Sequence, residues 1–118
     1  MATKVYQYPK CSTCRKALKW LDEHGAKYGK TDLVAEPIAP AKLKDLLKRS
    51  GLPVTRFFNT SGESYREGGF KDRLKTMTEA DAIAALAKDG KLVKRPIVDT
   101  GKKVLVGFDE EAYRNTFG

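Results

Sequence analysis

Histidine is almost missing from this chain; His24 is the only one. Cysteine is scarce as well, with Cys11 and Cys14 alone. Two cysteines cannot supply the four ligands of a structural zinc site, and His24 lies outside zinc-finger spacing, so no metal is expected. A disulfide across so tight a loop would add little stability in a reducing compartment. Long apolar runs are also lacking. The longest is Ala82 to Ala87, far short of the roughly 20 residues of a bilayer span, and no membrane association is expected. The opening Met1-Ala2-Thr3-Lys4-Val5-Tyr6 has no apolar signal core, which predicts a cytoplasmic location. Acidic residues are in deficit, 15 against 23 Lys and Arg, for a net charge of +8. Such a balance attracts nucleic acid, anionic ligands or an acidic partner. The charges are spread with no basic run, so they read as a solvated face whose functional part is local; no direct nucleic-acid binding is expected. Hydrophobic residues at 41% and charged residues at 32% exclude a disordered chain. At 118 residues the chain predicts one domain, monomeric, with a core that needs no staple.

Periodicity organises the chain. Thr3 to Tyr8 alternates like a strand and stops at Pro9. Ala17, Leu18 and Leu21 then share a helical face with Trp20 at its edge, and Gly25 ends the helix. Tyr28 to Val34 reads as a second strand. Pro37 and Pro40 mark a linker, with Pro40 suited to a first helical turn. Leu43, Leu46 and Leu47 give that helix its buried stripe, and Gly51 caps it. Phe57 and Phe58, followed by Asn59-Thr60-Ser61-Gly62, predict a short helix running into a turn. Tyr65 and Phe70 flank Gly68-Gly69 and should pack onto the core. Thr78 and Asp81 approximate a capping box for a helix bearing Ile83 and Leu86, closed by Gly90. Leu92 to Asp99 and Val104 to Phe108 read as two strands, with Thr100-Gly101-Lys102 as the hairpin turn. Asp109 opens a last helix carrying Ala112, Tyr113 and Phe117. The first three elements make a βαβ unit with a right-handed crossover. The expected architecture is α/β: a mixed sheet of four strands, helices on both faces, and a helical insertion over about 37–90 between core segments of about 1–36 and 91–118.

Cys11 and Cys14 stand in a Cys-x-x-Cys spacing between the first strand and its helix. Unpaired N–H groups and the positive helix end favour a thiolate at Cys11. Lys10, Arg15 and Lys16 add positive potential. Cys14 lies one turn on, where its sulfur can face Cys11, attack a mixed disulfide there and release the product. Two idle thiols are the alternative reading. The second signal is Lys94-Arg95-Pro96-Ile97-Val98. A proline opening a strand beside a reactive cysteine is a place for a cis bond, and Arg95 could hold an oxyanion or carboxylate near the thiolate. The plain alternative is a surface arginine and a strand-start proline.

Tyr6-Gln7-Tyr8-Pro9-Lys10-Cys11-Ser12-Thr13-Cys14-Arg15-Lys16-Ala17, Lys94-Arg95-Pro96-Ile97-Val98 and Val106-Gly107-Phe108 together resemble the arsenate reductase (ArsC) family of the glutaredoxin-coupled type. That family includes the Spx and MgsR transcription regulators and further reductase-like members. The resemblance runs over nearly the whole chain. It implies a thioredoxin-like fold, a cis Pro96, and Arg95 near the Cys11 thiolate. It implies a catalytic set of Cys11, Cys14 and Arg95, with Ser12, Thr13, Arg15 and Pro96 binding substrate. It implies no bound cofactor but an external thiol donor such as glutathione with glutaredoxin, or thioredoxin. The chain departs from the arsenate-reducing pattern, which has a single cysteine in the motif, by its second cysteine, Cys14, and at three further places. Gln7 holds the position of a histidine, and Asn59 and Phe108 those of two arginines. Each lost charge-assisted contact is worth roughly 1.5–3 kcal/mol, which predicts weak arsenate binding. Two functions follow: a thiol–disulfide oxidoreductase or reductase-like protein, or a non-enzymatic redox-sensing regulator of the Spx type that binds RNA polymerase.

Overall fold

A parallel pair and two antiparallel pairs build one sheet, in the order β2-β1-β3-β4. This computed structural model describes residues 3–117. Met1 and Ala2, part of the opening segment read above, and Gly118 lie outside them. The strands are β1 (Thr3–Gln7), β2 (Tyr28–Asp32), β3 (Ile97–Asp99) and β4 (Val104–Val106). The helices are α1 (Ser12–Glu23), α2 (Pro40–Ser50), α3 (Glu63–Glu67), α4 (Phe70–Arg73), α5 (Glu79–Lys88) and α6 (Glu110–Phe117). β1 is central, parallel to β2 and antiparallel to β3. This is the expected thioredoxin-like arrangement.

Neighbouring strand residues point to opposite faces, and here both faces are covered. Val5 and Val98 pack on one side with Ala17, Trp20 and Leu21 of α1 and Tyr113 of α6. Tyr6, Ile97 and Val104 pack on the other with Leu43, Leu46 and Leu47 of α2, Leu86 of α5, and Phe57, Phe58 and Leu92. The helical segments between β2 and β3 therefore cover the second face. Trp20, expected at the edge of the α1 stripe, is buried and meets Tyr113 edge-on at 5.6 Å between ring centres. Pro40 opens α2, and Gly51 ends it in the left-handed region at φ 70°. Thr78 caps α5 by accepting the Asp81 N–H at 3.1 Å. Asp99, at the end of β3, accepts a forked pair of bonds from Arg49 of α2 at 2.7 and 2.9 Å, which ties the helix to the sheet. At Gly90 an added methyl would run into the Leu33 carbonyl oxygen and the Val34 Cα, so the backbones touch there.

Several boundaries differ from the sequence reading. β2 stops at Asp32, not Val34, because the Asp32 carboxylate accepts the Val34 and Ala35 N–H groups and turns the chain. Leu92 to Lys94 is not strand. Gly90–Leu92 forms a 3-10 turn capped by Asp89, and Val93 makes a single bridge to Phe58. Pro96 has no N–H to give a ladder, so β3 begins only at Ile97. The short helix assigned to Phe57 and Phe58 lies earlier, as a 3-10 turn over Val54–Phe57, with Phe58 already extended. β4 likewise ends at Val106, and Gly107 turns the chain at φ 82°.

Candidate active site

Tyr8, Pro9, Lys10 and Cys11 form the turn between β1 and α1, closed by the Cys11 N–H on the Tyr8 carbonyl at 3.0 Å. Pro9 occupies the second turn position, where its fixed φ fits. Cys11 is then the N-cap residue of α1: its backbone is extended, and its carbonyl accepts the Arg15 N–H at 3.1 Å. The first turn of α1 contains no acidic residue to compete for the free N–H groups. Both thiols are free, Cys11 half-buried and Cys14 fully buried.

The two thiols are displaced in opposite directions. Burial opposes ionisation of Cys11, but the Cys14 backbone N–H, the Cys14 thiol and the Arg95 guanidinium outweigh it and hold Cys11 below its ordinary value. Burial pushes Cys14 up to about 12, against a hydrogen bond from the Tyr8 N–H at 3.4 Å, and the neighbouring Cys11 adds to the rise. The two thiols thus act on one another in opposite senses, Cys14 helping to hold Cys11 low and Cys11 helping to hold Cys14 high.

Arg95 reaches the site from the far end of the sequence because β3 pairs with β1. Its guanidinium donates to the Lys91 and Val93 carbonyls at 3.1 and 3.3 Å and lies 5.2 Å from the centre of the Tyr8 ring. Among the described residues it has no carboxylate partner, so its charge is left for Cys11. Its buried Nε also has no partner. The Arg95–Pro96 bond is cis. The Pro96 carbonyl accepts the Gly107 N–H at 2.8 Å, and the Gly107 carbonyl accepts the Tyr113 hydroxyl at 3.0 Å.

Cys11, Cys14 and Arg95 therefore come together. Ser12 and Arg15 sit exposed on the first turn of α1, Thr13 half-buried between them. None of Ser12, Thr13, Arg15 and Pro96 lines the cleft of about 400 Å³ that opens beside Arg95. Tyr8, Asn59, Glu63, Glu67 and Lys91 line it instead. Of these, the sequence singled out Asn59 through its departure from an arginine. Glu63 and Glu67 carried only the signal of a shared helix face at i,i+4 spacing. Phe108 packs against Tyr113 at 4.9 Å, edge to face, and brings no charge to the thiol. Gln7 is buried at the end of β1.

The model of the ArsC family matches residues 6–116. A Bacillus subtilis protein called YusI, uncharacterised, is 44% identical over 117 residues, covering 99% of both chains. The structure of a Bacteroides fragilis protein described as ArsC family related is 49% identical, with a TM-score of 0.94 over 98% of this chain and 97% of that one. The global transcriptional regulator Spx of Listeria monocytogenes is 26% identical over 110 residues, covering 93% of this chain and 82% of the regulator.

Proposed function

This chain belongs to the ArsC family, and on that premise we propose that it is a thiol–disulfide oxidoreductase with Cys11 as nucleophile, Cys14 as resolving thiol and Arg95 as the group that holds the thiolate. The opposed displacement of two thiols one helical turn apart carries this reading: Cys11 below its ordinary value and accessible, Cys14 up to about 12 and buried. In the first step the Cys11 thiolate attacks one sulfur of a substrate disulfide. A new S–S bond forms, the old one breaks, and the other half leaves as a thiolate. Cys14 then gives up its proton to water or the departing group, and its sulfur attacks Cys11. That step releases the second half and leaves a Cys11–Cys14 disulfide, which an external thiol donor, such as glutathione with glutaredoxin or thioredoxin, returns to two thiols.

Ser12, Thr13 and Arg15 form the rim of the thiol in this reading, and the Pro96 backbone faces the substrate. Arsenate is a poor fit, since Arg95 supplies the cationic group where the reductase pattern has three. Iodoacetamide alkylation against pH tests the roles. Cys14→Ser should leave a fast thiol titrating below the ordinary cysteine value, and Cys11→Ser a slow one. A faster Cys14 would reverse the assignment.

The likeness to Spx over 93% of the chain supports a second reading, a redox-sensing regulator that binds RNA polymerase and uses the same thiol pair as its switch. Capture of purified RNA polymerase by the reduced or the oxidised form, but not by both, would favour the regulator.

A further inference from the structure

The cleft beside Arg95, the residue that joins it to Cys11, carries charges of both signs; Cys11 itself is not among its lining residues. Arg95 and Tyr8 lie on the thiol side, and Lys91, Glu63 and Glu67 line the remainder. Its volume of about 400 Å³ is that of a small-molecule site. Glu63 and Glu67 share one face of α3, a helix of 5 residues, and like charges at that spacing oppose helix formation. Among the described residues neither carboxylate has an ion-pair partner, and Lys91 has none either. Arg95 is already committed to Cys11 and to two backbone carbonyls. The free charges in the cleft are therefore two carboxylates and one ammonium. A ligand with several negative charges is repelled there, and one bearing both an ammonium and a carboxylate is matched.

We propose that the oxidising substrate is a low-molecular-weight disulfide with an aminocarboxylate arm, its ammonium taken by Glu63 and Glu67 and its carboxylate by Lys91; this rests on Cys11 being the disulfide-attacking thiolate. The Cys11 sulfur bonds to the near sulfur, the substrate S–S bond breaks, and the far half leaves as a thiolate that takes a proton from water. The half that stays occupies the cleft.

Four probes separate the charge types: cystine (zwitterion), cystamine (cation), dithiodipropionate (anion) and hydroxyethyl disulfide (neutral). Mixed-disulfide formation on the reduced protein is followed by acid quench and mass spectrometry. Each rate is divided by that of the same disulfide with N-acetylcysteine amide, which removes differences in leaving-group reactivity. Cystine should exceed the neutral probe by about fivefold and dithiodipropionate by more. Glu63→Gln/Glu67→Gln should shrink the advantage of cystine, and Lys91→Met should narrow the gap between cystine and cystamine. In the unmodified protein, added salt should erode the same advantage. A cystine-to-neutral ratio near one, or a preference for the anion, overturns the proposal while leaving the oxidoreductase reading intact. Failure of every probe, the neutral one included, to outrun the reference thiol sinks that reading and this proposal with it.

Discussion

Replacing Asp99 with asparagine isolates the charge that joins α2 to the sheet. Asp99 accepts two bonds from Arg49, at 2.7 and 2.9 Å, and one from the Gly101 N–H at 2.8 Å. Lys42 lies at 3.5 Å. The side chains of Asp99 and Arg49 are 11% and 26% exposed, so the pair is only partly screened. Asparagine keeps the shape and loses the charge. Charge-assisted hydrogen bonds contribute roughly 1.5–3 kcal/mol, and since Arg49 retains Asp45, we expect a loss of about 2 kcal/mol. With an unfolding entropy of about 2.1 cal/mol/K per residue, that lowers Tm by roughly 8 °C. The pH dependence gives a second handle. The Arg49 guanidinium, working against burial and helped by the Gly101 N–H, holds Asp99 well below the usual carboxylate range. A carboxylate depressed on folding stabilises the fold above its unfolded value, about 3.9, and loses that contribution as pH falls toward the folded one. Urea unfolding of both proteins should therefore show a constant gap between about pH 8 and pH 5 that narrows below about pH 4. A gap under about 0.5 kcal/mol at neutral pH, or one unchanged in strong acid, refutes the reasoning.

Arg95→Ala should raise the Cys11 titration point and slow alkylation several-fold near neutral pH, read from the rate profile; an unmoved profile would remove Arg95 from the thiol. Tyr113→Phe strands the buried Gly107 carbonyl and should cost about 1–3 kcal/mol in chemical denaturation; full retention of stability would mean the carbonyl finds another donor. Arsenate turnover with glutathione and glutaredoxin should be weak or absent beside an arsenate-reducing family member assayed in parallel, and a matching rate would show that one arginine suffices. Gly90→Ala should destabilise by about 1–3 kcal/mol, because backbone rather than a flexible side chain stands in the way; thermal melting checks it, and an unchanged Tm would mean that the two segments separate freely.

The parts of the fold legible in the sequence are those with a local cause. The leucine stripe of α2, Pro40 at its start, Gly51 at its end and the Thr78 cap each act within one or two turns, and each appears where its chemistry requires. Leu92 and Val93 show the limit. Their apolar character reports burial, and both are buried, but an apolar run does not distinguish a ladder from a buried turn. Asp89 and Pro96 decide that question through one hydrogen bond made and one donor missing. The site divides in the same way. Cys11 and Cys14 belong to one helical turn and could be paired by spacing. Glu63, Glu67 and Lys91 enter the cleft through the packing of α3 and the 3-10 turn against the core, which no local pattern encodes.

The pairing of β3 with β1 brings Arg95 to Cys11 from across most of the chain, with α2 to α5 lying between the two strands in sequence. An unfolded or half-folded chain lacks the guanidinium, the aligned Cys14 N–H and the buried Cys14 thiol at the same moment. Its two cysteines then behave as ordinary, slowly reacting thiols. The displacement of Cys11 below its ordinary value therefore belongs to the completed molecule, so that in a mixture of folded and unfolded copies the amplitude of the fast alkylation phase reports the folded fraction.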